Sequence, residues 1–229
     1  MVTYTSLTFK MLPQNELIRQ IIKQVPTTKP SAESAVASFR QTPMYSARNC
    51  NANQLSGALG EIYIQLSLQQ ICQERKVEDR VRFNPISAGE ETQNFIFRRA
   101  DETGTLKVWA KQASVGRHNN SEIDMLLVAD GLPVLFEIKM REDRPGPGGI
   151  AMAMQSDKIE KSLRPIKEYF KTTEVGYALV VPPEQISSND FVQRIFMREG
   201  GMLVPFPMTR WQFKGEVRRI SEKYELLVI

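Results

Sequence analysis

The sequence predicts an α/β fold with a central mixed sheet flanked by helices, on three observations. Residues 121–128 and 134–139 are densely apolar and β-branched, and Asp130-Gly131 between them is the strongest short hairpin signal. Leu55, Leu59, Ile62 and Leu66 recur at helical spacing and make one apolar stripe. Residues 175–181 read as a fully buried strand, stopped by Pro182-Pro183.

Taken in order, residues 1–53 read as an N-terminal helical arm or linker. Leu17, Ile18, Ile21, Ile22 and Val25 make one helix face, which Pro26 and Pro30 break. Ser31 caps a second short helix to Phe39, and 40–53 is polar and loop-like. A core of 54–182 opens with a helix over 54–76. In it Gly57 and Gly60 weaken the helix but let its backbone approach a neighbour, and Glu61 borders the apolar stripe. Strands are predicted at 80–83, 94–99 and 106–113, with a turn at Asp101-Glu102-Thr103-Gly104. After the hairpin, the proline- and glycine-rich stretch 141–149 is an irregular loop bordering its Lys139 end. A helix over 151–170 presents Lys158, Lys161, Arg164 and Lys167, followed by Lys171, as a wet, partly basic face. Residues 183–229 form a C-terminal extension packing on the core: a helix at 191–198, a strand at 202–206, and a closing hairpin of 211–218 with 224–229.

Composition excludes several classes. The 41% apolar and 24% charged fractions are those of a globular domain. No apolar run is long enough for a membrane span, and the N-terminus lacks a secretory pattern, so an intracellular, cytoplasmic protein without a membrane partner is expected. Cys50 and Cys72 are isolated, which argues against a disulfide framework or zinc cluster. His118, the single histidine, sits in a polar loop and cannot alone furnish a zinc hydrolase. No phosphate loop or dinucleotide fingerprint is present. The net charge of +4 is compatible with a nucleic-acid partner without requiring one.

A two-residue turn at Asp130-Gly131 sets Asp124 opposite Glu137, with Lys139 two residues further on the same face. Opposed acids destabilise a ladder unless something neutralises them. Leu126, Val128 and Leu135 share that face and predict that it is covered, where acids need a partner or a metal. Hard oxygen ligands favour Mg2+ or Mn2+. The plainer reading is a solvated polar face on which Lys139 pairs with the acids.

The order of helix with Glu61, strands, Asp124, twelve intervening residues, Glu137-Ile138-Lys139, basic helix and buried strand resembles the PD-(D/E)xK phosphodiesterase superfamily, a group of restriction endonucleases, junction resolvases and repair nucleases. The resemblance covers about 54–182 and implies a restriction-endonuclease-like core and a metal-dependent nuclease. It assigns Asp124, Glu137 and the Ile138 carbonyl as metal ligands, Lys139 as the group that orients or deprotonates water and stabilises phosphate charge, and Glu61 as a ligand of a second metal or its water. Gln155 is similar in position to a glutamine early in the following helix of some members, although the usual glutamine-to-tyrosine spacing is absent. Ile123 stands where the family name has proline, and Glu122 is expected to face Lys139 and compete for it. The implied partner is nucleic acid, DNA ahead of RNA, with a homodimer where both strands are cut. Two other readings stay open: a binding module of this fold without catalysis, and an unrelated α/β protein with a chance match.

Overall fold

The computed structural model describes residues 15–46, 50–99, 105–111, 121–140, 150–187 and 190–226, with the side chains of 151 and 152 left aside. His118, the Asp101-Glu102-Thr103-Gly104 turn and the 141–149 loop lie outside the described residues.

Helix α1 (Glu16–Gln24) is capped by Asn15, whose side chain accepts from Ile18 N. A 3-10 turn at Val25–Thr27 carries Pro26. Helix α2 (Ala32–Phe39) is capped by Ser31. A short α3 (Pro43–Ser46) follows, within the stretch expected to be loop. Helix α4 (Ala52–Arg75) begins with a capping box of Asn51 and Gln54. These segments do not stand apart as an arm. Ile18, Ile21, Val25, Phe39 and Met44 join Leu55, Leu59 and Leu68 of α4 in one apolar cluster against the sheet.

After the 3-10 turn Glu78–Arg80 come β1 (Val81–Phe83), β2 (Phe95–Arg99), β3 (Leu106–Ala110), β4 (Ser121–Ile123), β5 (Met125–Ala129) and β6 (Leu132–Ile138). Helices α5 (Ile150–Ala153) and α6 (Ser156–Phe170) stand where one helix was expected. The chain is extended at Gln155 (φ −73, ψ 130), the residue just before α6, and the break lets Ile150 of α5 share one core with Ile159 and Leu163 of α6. Then follow β7 (Gly176–Val181), α7 (Phe191–Arg198), β8 (Met202–Pro205) and α8 (Arg210–Tyr224).

Helix α8 corrects the expected closing hairpin over 211–218; residues 227–229 of its second strand lie outside the described residues. Thr209 and Gln212 form a capping box. Phe213 and Ile220 are fully buried, with Val217 and Tyr224 packed beside them. That spacing of four, three and four is a helical stripe.

Two sheets result. The larger has the order β1-β5-β6-β7-β8, antiparallel through β6 and parallel from β6 to β8; the smaller has the order β2-β3-β4. The protein is therefore α/β with a mixed central sheet. At the hairpin, Asp130 and Gly131 have φ of 49 and 81, the doubly left-handed turn that Asp-Gly favours. Arg80 holds the turn through two bonds to the Asp130 carboxylate, at 2.9 and 2.6 Å. Val128 pairs with Pro133 one step from the turn, a non-hydrogen-bonded position where a missing N–H is cheap.

The sheet separates two cores. Met125, Leu127, Val134 and Phe136 face α4 and α8, while Leu126, Leu135 and Leu179 face α6 and the smaller sheet. Among the described residues no helix is long and apolar enough to cross a membrane.

Candidate active site

Asp124 owes its position to a break in a strand. The sequence predicts 121–128 as one unbroken strand with Asp124 paired to Glu137. The observed register is the one expected, but pairing stops one position short, at Met125 with Phe136. Upstream of Asp124 the chain leaves for the smaller sheet, where Ser121–Ile123 pairs with β3. The backbone N–H of Ile138 is thus left without a facing carbonyl. The Asp124 carboxylate takes that place, Oδ2 accepting from Ile138 N at 2.8 Å. A residue in an extended strand points its N–H and C=O to the same edge, so the Ile138 carbonyl also faces Asp124.

Glu137 belongs to β6, on the face shared with Leu135, and is 7% exposed. Its Oε1 lies 2.6 Å from Lys139 Nζ. Glu61 reaches the same place from α4. Gly60 beside it permits the approach, because a Cβ there would stand 2.9 Å from Met140 Cγ. Gly57 has no such neighbour. Glu122 acts on Lys139 through its charge but forms its ion pair elsewhere. Its register partner on β3 is Lys107, with which it forms an ion pair at 3.2 Å.

The electrostatics follow from crowding three carboxylates around one ammonium. Withdrawal from water and then the charge of Glu137 push Asp124 up to about 7, against the pull of Lys139 and the Ile138 N–H. Glu61 is raised well above the carboxylate range, first by loss of solvent and then by Asp124 and Glu122. Burial alone would lower the Lys139 pKa, but the charges of Glu137 and Asp124 overcome it and hold the ammonium above its ordinary value. Lys139 here is a cation, suited to stabilising anionic charge and unsuited to taking a proton.

Glu61 and Asp124 therefore favour their protonated forms unless a further cation joins them. This donor set of hard oxygens fits Mg2+ or Mn2+. As arranged, Lys139 occupies one oxygen of Glu137 and Ile138 N–H occupies one of Asp124. Among the described residues, no three acidic, histidine or cysteine side chains stand in ready coordinating geometry.

A cleft of about 620 Å³ opens onto the site, with Glu61 and Asp124 on its wall. Its other boundaries are the α2–α3 corner and the smaller sheet. Gln155 is exposed at the start of α6 and makes no capping bond with its side chain. On the basic face of α6, Lys167 pairs with Glu160 at 2.9 Å and Arg164 lies over Phe95 at 5.8 Å. Sequence reading missed Tyr177, whose register partner on β6 is Leu135. Burial, then the charges of Glu137 and Asp124, keep its phenol protonated, and its hydroxyl donates to the Ala153 carbonyl at 3.1 Å. Tyr177 thereby ties α5 to the floor of the site. Only the three-dimensional pairing of β6 with β7 reveals it.

No protein-family model matches this sequence, and no curated protein matches it. Among solved structures, protein VC1899 from Vibrio cholerae is similar with a TM-score of 0.33 and 13% identity, over 90% of this chain and 57% of that one. The chain thus spans little more than half the length of that protein, and a likeness of this degree decides neither fold family nor function.

Proposed function

We propose that this chain is a divalent-metal-dependent nuclease with a restriction-endonuclease-like core, acting on nucleic acid and on DNA ahead of RNA. One observation supports the reading above the others. Three carboxylates on separate elements, Glu61, Asp124 and Glu137, converge with Lys139 beside a cleft that Glu61 and Asp124 line, and burial together with neighbouring charge raises the proton affinities of Glu61 and Asp124. A fold keeps such a costly cluster where a cation is to be bound.

Asp124, Glu137 and the Ile138 carbonyl would hold Mg2+ or Mn2+, with Glu61 approaching from the cleft side. The bound ion would supply Lewis acidity, offsetting phosphate charge and lowering the pKa of attacking water. Lys139, held charged by its acidic neighbours, sits where negative charge develops on the phosphate and stabilises it. Asp124 would offer the cation its oxygen not bonded to Ile138 N–H, and Glu137 the oxygen not paired with Lys139, whose ammonium would be left to meet phosphate charge. The buried position of Glu137 keeps bulk water from screening these charges.

A second reading, a nucleic-acid-binding module without catalysis, is favoured by the internal satisfaction of Glu137 by Lys139 and Asp124 by Ile138. One assay separates the two. The protein with Mg2+ or Mn2+ is given single-stranded, linear, supercoiled and branched substrates beside Asp124→Ala. Cleavage lost in the variant supports the enzyme, and binding without cleavage supports the module.

A further inference from the structure

Along the cleft wall, Gln65 and Gln69 follow Glu61 on α4 at intervals of four residues. The three side chains therefore form one row, each step advancing about 6 Å along the helix. Both glutamines are half-buried, and among the described residues neither amide has a hydrogen-bond partner. Their neighbour Gln70, by contrast, bonds to Glu74 at 2.8 Å. The core face of α4 is carried by Leu55, Leu59, Ile64 and Leu68, so packing does not account for the glutamine row.

Arg99 and the two acids aside, the described wall is uncharged: Ser38, Gln41 and Thr42 on the α2–α3 corner are polar, while Ile62, Leu66 and Leu106 offer apolar surface of the kind a base can lie against. Arg99 is its one cation among the described residues and has interactions of its own. A phosphate chain is recognised by several cations and is repelled by carboxylates. Neutral amides beside acids suit base edges instead, and glutamine pairs with adenine through two hydrogen bonds. A duplex also shows that edge in its major groove, but a cleft of about 620 Å³ has room for single bases and not for a duplex, so the edges reach α4 from an unpaired strand with its bases splayed out.

We propose that Gln65 and Gln69 form a base-reading subsite that admits an unpaired strand, bases toward α4, and leads it to Glu61 and Asp124. This deepens the nuclease reading and rests on it for the chemistry at the end of the row. Strand selection is nevertheless a binding property, measurable without metal.

The test uses the full chain in EDTA with fluorescein-labelled adenine-rich and thymine-rich single strands and a blunt duplex, read by anisotropy. Single strand is expected to bind at least tenfold more tightly than duplex, with the adenine-rich strand favoured. The Gln65→Leu/Gln69→Leu pair, close in volume, is expected to weaken single-strand binding by roughly 5- to 150-fold. Equal binding of single strand and duplex, no binding of either, or single-strand binding unaltered in a folded double variant would each overturn the proposal. Should the double variant melt early, the single Gln69→Leu variant and the strand ratio of the native protein decide. Glutamine-dependent single-strand binding with no Mg2+-dependent cleavage would remove the nuclease reading alone. Duplex cleavage indifferent to both glutamines would remove the subsite alone.

Discussion

Replacing Asp124 with asparagine should make the metal-free protein more stable while abolishing its metal site. Asp124 is raised from an ordinary 3.8 to about 7, so in the absence of metal its charge opposes folding at neutral pH and above. The difference is about three pKa units, and at about 1.4 kcal/mol each this sets a ceiling of roughly 4 kcal/mol. That cost comes first from burial and then from the charge of Glu137, and its coupling to the neighbouring acids brings the expected gain to about 2–4 kcal/mol. The sign is fixed by linkage: between about pH 4 and 7 the folded state binds more protons than the unfolded one, so stability falls as pH rises through that window and is flat above it. Asparagine removes the slope and still accepts from Ile138 N–H, which Asp124 now does at 2.8 Å. For a chain of this size the gain corresponds to a Tm increase of roughly 5–15 °C at pH 8 in EDTA, shrinking toward zero near pH 4. Thermal melts of the two proteins across pH measure it. A variant less stable than the native protein at pH 8, or a difference independent of pH, would show that the carboxylate cluster is not electrostatically strained.

Lys139→Met should retain a Mn2+-induced rise in Tm, since it removes a cation that competes for the same acids, while cleavage falls at least 100-fold. Loss of the metal response would instead mean that Lys139 shapes the site. The two glycines of α4 should respond in opposite directions. Gly57→Ala, with no atom within 4 Å of the new Cβ, should gain about 0.5–1 kcal/mol from helix propensity. Gly60→Val, driven against Met140, should lose about 1–3 kcal/mol by overpacking, and urea melts report both. Phe213→Ala should cost about 3–5 kcal/mol in the same experiment, because Phe213 is fully buried against Tyr63 and Phe206. A near-neutral result there would mean that α8 is not part of the main core.

Local patterns were legible where one force decides them. The Asp-Gly turn, the α4 helix with Leu55 and Leu59 on its core face, the cap Ser31, and the buried run of β7 each follow from backbone preference or apolar spacing over a few residues. The helix over 210–224 was open to the same reading but was lost among its charged residues; Phe213, Val217, Ile220 and Tyr224 mark it once the polar positions are set aside. Gln155, assigned by position alone, is exposed at a helix start.

The sequence by itself determined the hairpin register, and with it the neighbourhood of Asp124, Glu137 and Lys139, since a one-residue slip would turn the apolar set of β5 out of the core. It also determined that Glu61 lies on a helix next to a glycine that can be closely approached. Tertiary structure alone decided that the strand breaks at Asp124, that Glu122 turns to Lys107, and that residues 16–44 pack into the main core, with Ser38 and 41–44 walling the cleft. These depend on how two sheets diverge and which helix covers the gap. Such outcomes arise from contacts between segments far apart in the chain, and no spacing within a single segment encodes them.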